Sequence, residues 1–81
     1  MQPRFKIGMK YQAPNKRKDI CTIVDILTTT NSKGDIVAIR YLTVHDFMGQ
    51  KVFNHDVLGT TIAIGLCRMH NVASVEEAMA L

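Results

Sequence analysis

The chain has 81 residues, 47% of them hydrophobic, which suits one small domain with a folded core. Two cysteines are too few for the disulfide framework of a small secreted domain, and no apolar run reaches the roughly 18 residues of a membrane-spanning helix. The net charge is +3, and six of the ten basic residues precede the first acidic residue, Asp19. We therefore expect a single cytoplasmic domain, residues 1–81, whose basic character belongs to its N-terminal end.

The N-terminal quarter predicts a short strand followed by a loop. Residues 5–11, FKIGMKY, alternate between apolar and polar types around Gly8, which is typical of a strand with a bend or bulge. The segment QAPNKRK follows, and Pro14 and Asn15 are residue types that favour turns.

Two β-hairpins are predicted next. Residues 19–30 and 35–46 are rich in β-branched side chains and are separated by the turn sequence NSKG. Residues 51–57 return as a shorter strand after a turn at Met48 and Gly49. This second turn sets Asp46 opposite Lys51 and Val44 opposite Phe53, which matches both charge and apolar character across the strands.

The register of the first hairpin is open between two turns. A two-residue turn at Ser32-Lys33 opposes Asp25 to Arg40, whereas a three-residue turn ending at Gly34 shifts every pair by one residue. We favour the first because it matches opposite charges. It also pairs two further sets of residues, Ile23 with Leu42 and Cys21 with Val44.

The central strand, residues 35–46, carries apolar residues on both faces, so something must cover both sides of the sheet. Residues 60–70 fit either a helix or a last strand. Ser74 with Glu77 three residues later forms a capping box that predicts a short helix over about 74–81. The predicted fold is mainly β: a small SH3-like barrel or strongly curled antiparallel sheet of four or five strands, with this C-terminal helix.

Two resemblances accompany this pattern. Residues 5–66, with five short strands and a turn-rich first loop, resemble an SH3-like barrel, a fold that often binds nucleic acid or extended peptides near that loop. The segments CTIVDILTTTNSKGDIV, IRYL, HDFMGQKV and DVLGTTIAIGL resemble small proteins of bacterial phages and plasmids. The second resemblance implies the cytoplasm of a bacterial host and an accessory role on mobile DNA.

The basic N-terminal segment is the candidate binding site. Lysine and arginine side chains neutralise phosphates, and an exposed aromatic ring stacks on an unpaired base. We therefore predict nucleic acid as the partner, with Phe5 buried and Tyr11 either stacking or packed in the core. An acidic host or defence protein, met through strand edges or the C-terminal helix, is the alternative partner, and self-association is a further option. The predicted nucleic-acid contacts are Arg4, Lys6, Lys10, Tyr11, Lys16, Arg17 and Lys18.

Catalytic and metal sites are not predicted. Adjacent side chains of a strand point to opposite faces, so neither His45-Asp46 nor His55-Asp56 forms a dyad. Structural zinc sites usually contain close cysteine pairs, and Cys67 with His70 is the only short pair of ligand types here. We expect Cys21 to be a small buried apolar residue. The expected protein is a non-enzymatic binding module without cofactor.

Overall fold

A four-stranded antiparallel sheet forms the frame of the protein in a computed structural model that describes residues 1–81. The strands follow one another across the sheet in chain order, β1-β2-β3-β4, and two short helices end the chain. The elements are β1 (Lys10–Gln12), β2 (Ile20–Thr30), β3 (Ile36–Phe47), β4 (Gln50–Val57), α1 (Thr60–His70) and α2 (Val75–Met79).

The sheet is open, so the predicted mainly antiparallel β architecture is confirmed and the predicted barrel is wrong. The outermost strands, β1 and β4, do not pair with each other. Closure would need a long first strand, but β1 contributes only three residues to the ladder. Helix α1 instead covers one face of the sheet.

The C-terminal helices resolve the ambiguity of residues 60–70. They form helix α1, and its buried side chains Ile62 and Leu66 are four residues apart, on one side of the helix. The predicted N-cap of the second helix is confirmed, because the Ser74 hydroxyl accepts a hydrogen bond from the Glu77 amide at 3.2 Å. That helix, Val75–Met79, is shorter than the predicted 74–81. Neither α1 nor α2 combines the length and hydrophobicity that crossing a bilayer requires.

The first strand is shorter than predicted. The backbone bends at Gly8, which has φ 95°, and the Gly8 amide donates to the Ile23 carbonyl at 2.7 Å. Phe5 leaves the strand because its ring enters the core, where it meets the Tyr41 ring edge-on with centroids 5.5 Å apart. Burial of Phe5, at 1% exposure, is confirmed.

The predicted register of the second hairpin is confirmed. Asp46 pairs with Lys51 and Val44 with Phe53, and the two charged side chains approach to 2.8 Å. The turn residues Met48 and Gly49 both have positive φ, as a two-residue hairpin turn of this hand requires.

The favoured register of the first hairpin is wrong. Asp25 pairs with Leu42, not Arg40, and Arg40 pairs with Leu27. The pairings expected for Ile23 and Cys21 also fail, since Leu42 and Val44 pair with Asp25 and Thr22.

Two irregularities explain the difference. At the two ends of this hairpin, Thr22 pairs with Val44 and Thr30 with Ile36. These pairs have the register of the alternative, three-residue turn that ends at Gly34. Between them the ladder is shifted by one further residue. Val24 is an extra residue between Ile23 and Asp25, and Val37 is an extra residue between Ile36 and Ala38, the partners of Thr30 and Thr29. At the tip the Asn31 side chain accepts from the amides of Lys33 and Asp35 and so closes the turn.

The helix-covered face of the sheet holds the core. Residues 39, 41 and 43 of β3 point toward the helices and are buried, and Cys21 is buried at 3% exposure as predicted. The other face lies away from the helices, and we call it the open face. Its residues are Lys10 and Gln12 of β1, Ile20, Thr22, Asp25, Leu27 and Thr29 of β2, Ala38, Arg40, Leu42, Val44 and Asp46 of β3, and Lys51, Phe53, His55 and Val57 of β4.

The β2–β3 hairpin is longer than the helices that cover it. Residues 27–35 at its tip are all exposed, and the long axis of the molecule measures 42 Å. The tip therefore projects beyond the core.

Helix α1 approaches β1 closely at Gly65. A β-carbon at this position would collide with the Gln12 carbonyl oxygen and would lie 2.7 Å from a ring carbon of Tyr11. Only glycine permits this contact, so Gly65 sets the distance between helix and sheet.

The start of α1 is anchored by a buried carboxylate on β4. Asp56, 7% exposed, accepts hydrogen bonds from the amides of Thr61 at 3.2 Å and Ile62 at 2.8 Å. The N-cap residue Gly59 has φ 74° and provides no side chain, so Asp56 satisfies two amides that the helix leaves unpaired.

Replacing Gly65 by alanine should destabilise the protein. Overpacking of this kind typically costs about 1–3 kcal/mol, which exceeds the gain of about 1 kcal/mol in helix propensity. Urea unfolding followed by circular dichroism measures the change. The matched control is Arg68→Ala on the exposed side of the same helix, for which we expect a change within about 0.5 kcal/mol. An unchanged midpoint for Gly65→Ala would contradict the close contact.

Replacing Asp56 by alanine should cost about 1–2 kcal/mol, because two helix-terminal amides lose their acceptor. Asp56→Asn retains one acceptor oxygen and should lose less. The control Asp46→Ala removes an exposed carboxylate whose pairing with Lys51 contributes little. Equal losses for Asp46→Ala and Asp56→Ala in the same unfolding experiment would refute the anchoring role.

Candidate functional site

The loop that joins β1 to β2, residues 13–19, contains the basic triplet and has a defined backbone. The Asn15 side-chain oxygen accepts from the Lys18 amide at 2.8 Å, and the Ala13 amide donates to the Asp19 carbonyl at 2.7 Å. Lys18 has φ 55°, a left-handed conformation that these bonds hold in place. The loop is therefore braced from within.

Arg17 is held at the surface by two partners. Its guanidinium group lies 3.1 Å from the Asp19 carboxylate and 4.4 Å above the centre of the Phe47 ring. The pKa of the Asp19 carboxyl lies below its usual value because the Asn15 amide donates to it, with further contributions from Arg17 and His45. The Arg17 side chain is 56% exposed in spite of these contacts, so it presents a fixed and accessible guanidinium plane.

Lys16 and Lys18 flank Arg17 and are exposed, and neither forms a salt bridge. The triplet therefore divides into one anchored arginine and two free ammonium groups. With Asp19 included, the loop carries a local charge of +2.

The other predicted basic contacts lie elsewhere on the surface. Arg4 pairs with Glu76 of α2 at 3.1 Å and lies 5.7 Å from the Phe5 ring centre. Phe5 packs on Tyr41, and Phe47, which supports Arg17, lies six residues further along β3. The two aromatic contacts that hold Arg4 and Arg17 are therefore about 20 Å apart along the strand.

Lys6 and Lys10 are exposed and form no ion pairs, and Lys10 lies on the open face. The structure thus does not bring the six basic residues into one patch.

The predicted stacking role of Tyr11 does not fit its position. Tyr11 is 4% exposed and lies against Gly65 of α1, so neither side of its ring is open to a base. Burial raises the pKa of Tyr11 to about 12. Tyr11 belongs to the core, as the alternative prediction held.

A polar cavity of about 240 Å³ lies beside the loop on the helix-covered face. His45, whose side chain is 10% exposed, forms part of its wall and places Nε2 3.9 Å from the Asp19 carboxylate. The Nδ1 atom of His45 is enclosed and has no hydrogen-bond partner. Further lining residues are Tyr11, Ala13, Asn15, Cys21, Thr43, Asn54, His55, Asp56 and Thr61.

The cavity wall contains one thiol, Cys21, and one buried carboxylate, Asp56. Burial raises the pKa of the Cys21 thiol, so the group is a neutral thiol at physiological pH. Both oxygens of Asp56 already accept amides of α1. The two His-Asp dipeptides are split between the faces of the sheet, and no group of three His, Cys, Asp or Glu side chains is arranged to hold a metal ion.

Two contacts of this region were not predicted from the sequence: Asp19 with His45, and Arg17 with Phe47. Each joins the first loop to the end of β3, and no local motif indicates either. Only the correct sheet register, combined with the path of the loop over the sheet, brings these residues together.

Comparisons with known proteins add no relative, since no protein-family model, no curated protein and no solved structure matches the chain.

The high pKa of Tyr11 predicts a loss of stability in alkali. An unfolded tyrosine titrates near pH 10, so between about pH 10 and 12 the unfolded chain loses this proton while the folded protein retains it. Stability should therefore fall as pH rises through this window, by at most about 1.4 kcal/mol per pH unit for one group. Tyr11→Phe should remove this component, while Tyr41 remains in both proteins. Urea unfolding at pH 8–12 measures it, and identical pH profiles for the two proteins would contradict the assignment.

Proposed function

We propose that the protein is a non-enzymatic binding protein that contacts nucleic acid through the β1–β2 loop. The observation that carries this proposal is the pair of exposed, unpaired lysines, Lys16 and Lys18, on a braced loop. Ammonium groups held near one another replace the counterions of successive phosphates, and the released counterions drive association. Little ordering of the loop is needed on binding, which reduces the entropic cost.

Arg17 takes over the stacking role that the sequence suggested for Tyr11. One side of its guanidinium plane rests on Phe47, and the group remains more than half exposed. Arginine planes stack on unpaired bases in recognition of single strands. This arrangement favours single-stranded over double-stranded nucleic acid, because only an unpaired base offers its face to the loop.

The remaining basic residues have secondary roles in the proposal. Lys6 and Lys10 are free of ion pairs, and the exposed pair of Arg4 with Glu76 is weak enough to open for a phosphate. The resemblance to phage and plasmid proteins suggests the cytoplasm of a bacterial host as the setting and mobile DNA, or its transcripts, as the target.

A protein partner is the second candidate. The observation that favours it is the apolar character of the open face, where Phe53 is 58% and Val57 60% exposed. Such a face suits a host or defence protein better than a phosphate backbone. The strand edges and the C-terminal helix are the other contact surfaces that we expect for a protein partner.

The double substitution Lys16→Ala/Lys18→Ala tests the nucleic-acid proposal without disturbing the Arg17 anchor. If both lysines contact phosphates, affinity should fall for all sequences, and the slope of log K against log salt should decrease by roughly 1.4–1.8. Fluorescence anisotropy with labelled single- and double-stranded DNA and RNA at several salt concentrations gives both quantities.

The matched control is Lys33→Ala/Arg68→Ala, which removes two exposed, unpaired basic residues elsewhere. Both double variants lower the net charge from +3 to +1, so any difference between them reports on position and not on total charge. Equal losses in the two variants would indicate non-specific attraction. Undetectable binding by the wild-type protein at low salt would refute the proposal and direct attention to protein partners.

A further inference from the structure

The open face of the sheet carries exposed apolar residues that binding through the β1–β2 loop does not explain. Its middle consists of Leu42 and Val44 on β3, and exposed Ile20, Phe53 and Val57 surround them at 52%, 58% and 60% exposure. When one face of a sheet remains in water, its residues are normally polar and alternate along each strand with the apolar residues of the buried face. Here both faces of the central strand are apolar, and the helices cover only one.

We propose that two copies of the chain pack their open faces together in a homodimer with a twofold axis. The product is a four-layer assembly, helix–sheet–sheet–helix, in which the two sheets form a sandwich about 10 Å thick between their backbones. This proposal does not depend on nucleic-acid binding by the β1–β2 loop, because that loop contacts Phe47 and His45 on the helix-covered face. Of the proposed secondary phosphate contacts, Lys10 lies on the open face.

The area of the open face is sufficient for a small specific interface. Strands lie about 4.8 Å apart with a rise of about 3.3 Å per residue, so each outward side chain covers roughly 30 Å² of sheet and the sixteen of this face cover about 500 Å². Side chains protrude from this plane, so two such faces bury roughly 1,000 Å² in total, the lower limit for a biological interface. The expected dimer is accordingly of moderate affinity.

The charges of the open face favour an identical partner. Asp25 and Arg40 both lie among apolar residues there, and neither forms a salt bridge within the chain. In a twofold interface a contact from residue i to residue j is always accompanied by the contact from j to i. Arg40 can therefore meet the partner's Asp25 while Asp25 meets the partner's Arg40. A second copy thus supplies a partner of opposite charge for both Asp25 and Arg40, while the other unpaired base of this face, Lys10, lies at its β1 edge.

Sedimentation velocity over about 1–200 μM protein tests the proposal. Wild-type protein should show a reversible monomer–dimer equilibrium, and Phe53→Lys should raise the dimer dissociation constant at least tenfold, because an exposed aromatic at an interface is a typical energetic centre. The control Ile64→Lys makes the same kind of change on α1, where Ile64 is 45% exposed, and should leave dimerisation unchanged. Circular dichroism and thermal unfolding verify that each variant is folded.

A charge exchange tests the orientation independently. Arg40→Asp places acidic residues opposite one another across the interface and should weaken the dimer, whereas Arg40→Asp combined with Asp25→Arg should restore it to within about threefold of wild type. A wild-type protein that stays monomeric throughout the range overturns the proposal. A dimer that is insensitive to Phe53→Lys also overturns it, since that result places the contact at another surface such as the free edge of β4.

Discussion

The attachment of α1 to the sheet depends on one buried carboxylate. Asp56 sits at the end of β4 and accepts the first free amides of the helix, so the chain reverses direction at Gly59 and lays α1 across β1. That placement buries Tyr11, Ile62 and Leu66 in one core. Thr61, whose amide donates to Asp56, also lines the polar cavity. Stability and the shape of the cavity therefore depend on the same side chain.

Local chemistry made part of the fold predictable. The second hairpin followed from its turn residues and from Asp46 opposite Lys51, and the capping serine of α2 followed from its spacing to Glu77. The first hairpin did not follow, because the extra residue Val24 shifts the ladder and no turn residue indicates that shift. Residues 60–70 were ambiguous since isoleucines at 62 and 64 fit a strand as well as a helix. In the folded chain Ile62 and Leu66 are buried and Ile64 is exposed, a spacing that fits a helix and not a strand.

The candidate site was predictable only in outline. A run of three basic residues beside turn formers indicates an exposed loop, and Lys16 and Lys18 are indeed exposed. The sequence did not show that Arg17 is anchored while Lys16 and Lys18 are free. The contacts of Arg17 with Asp19 and Phe47 form only in the folded chain. Tyr11 shows the opposite case: an aromatic among lysines suggests stacking, but its place on a short strand under α1 makes it a core residue.

The projecting tip of the β2–β3 hairpin has a practical consequence. Residues 27–35 contribute no buried side chain, and the turn is closed by Asn31 alone. Loop tips of this kind accept insertions at little cost to folding. A short epitope introduced between Ser32 and Lys33 would stand clear of the core and of the β1–β2 loop and would serve to immobilise or track the protein. It would disturb only the Asn31 contacts that close this turn.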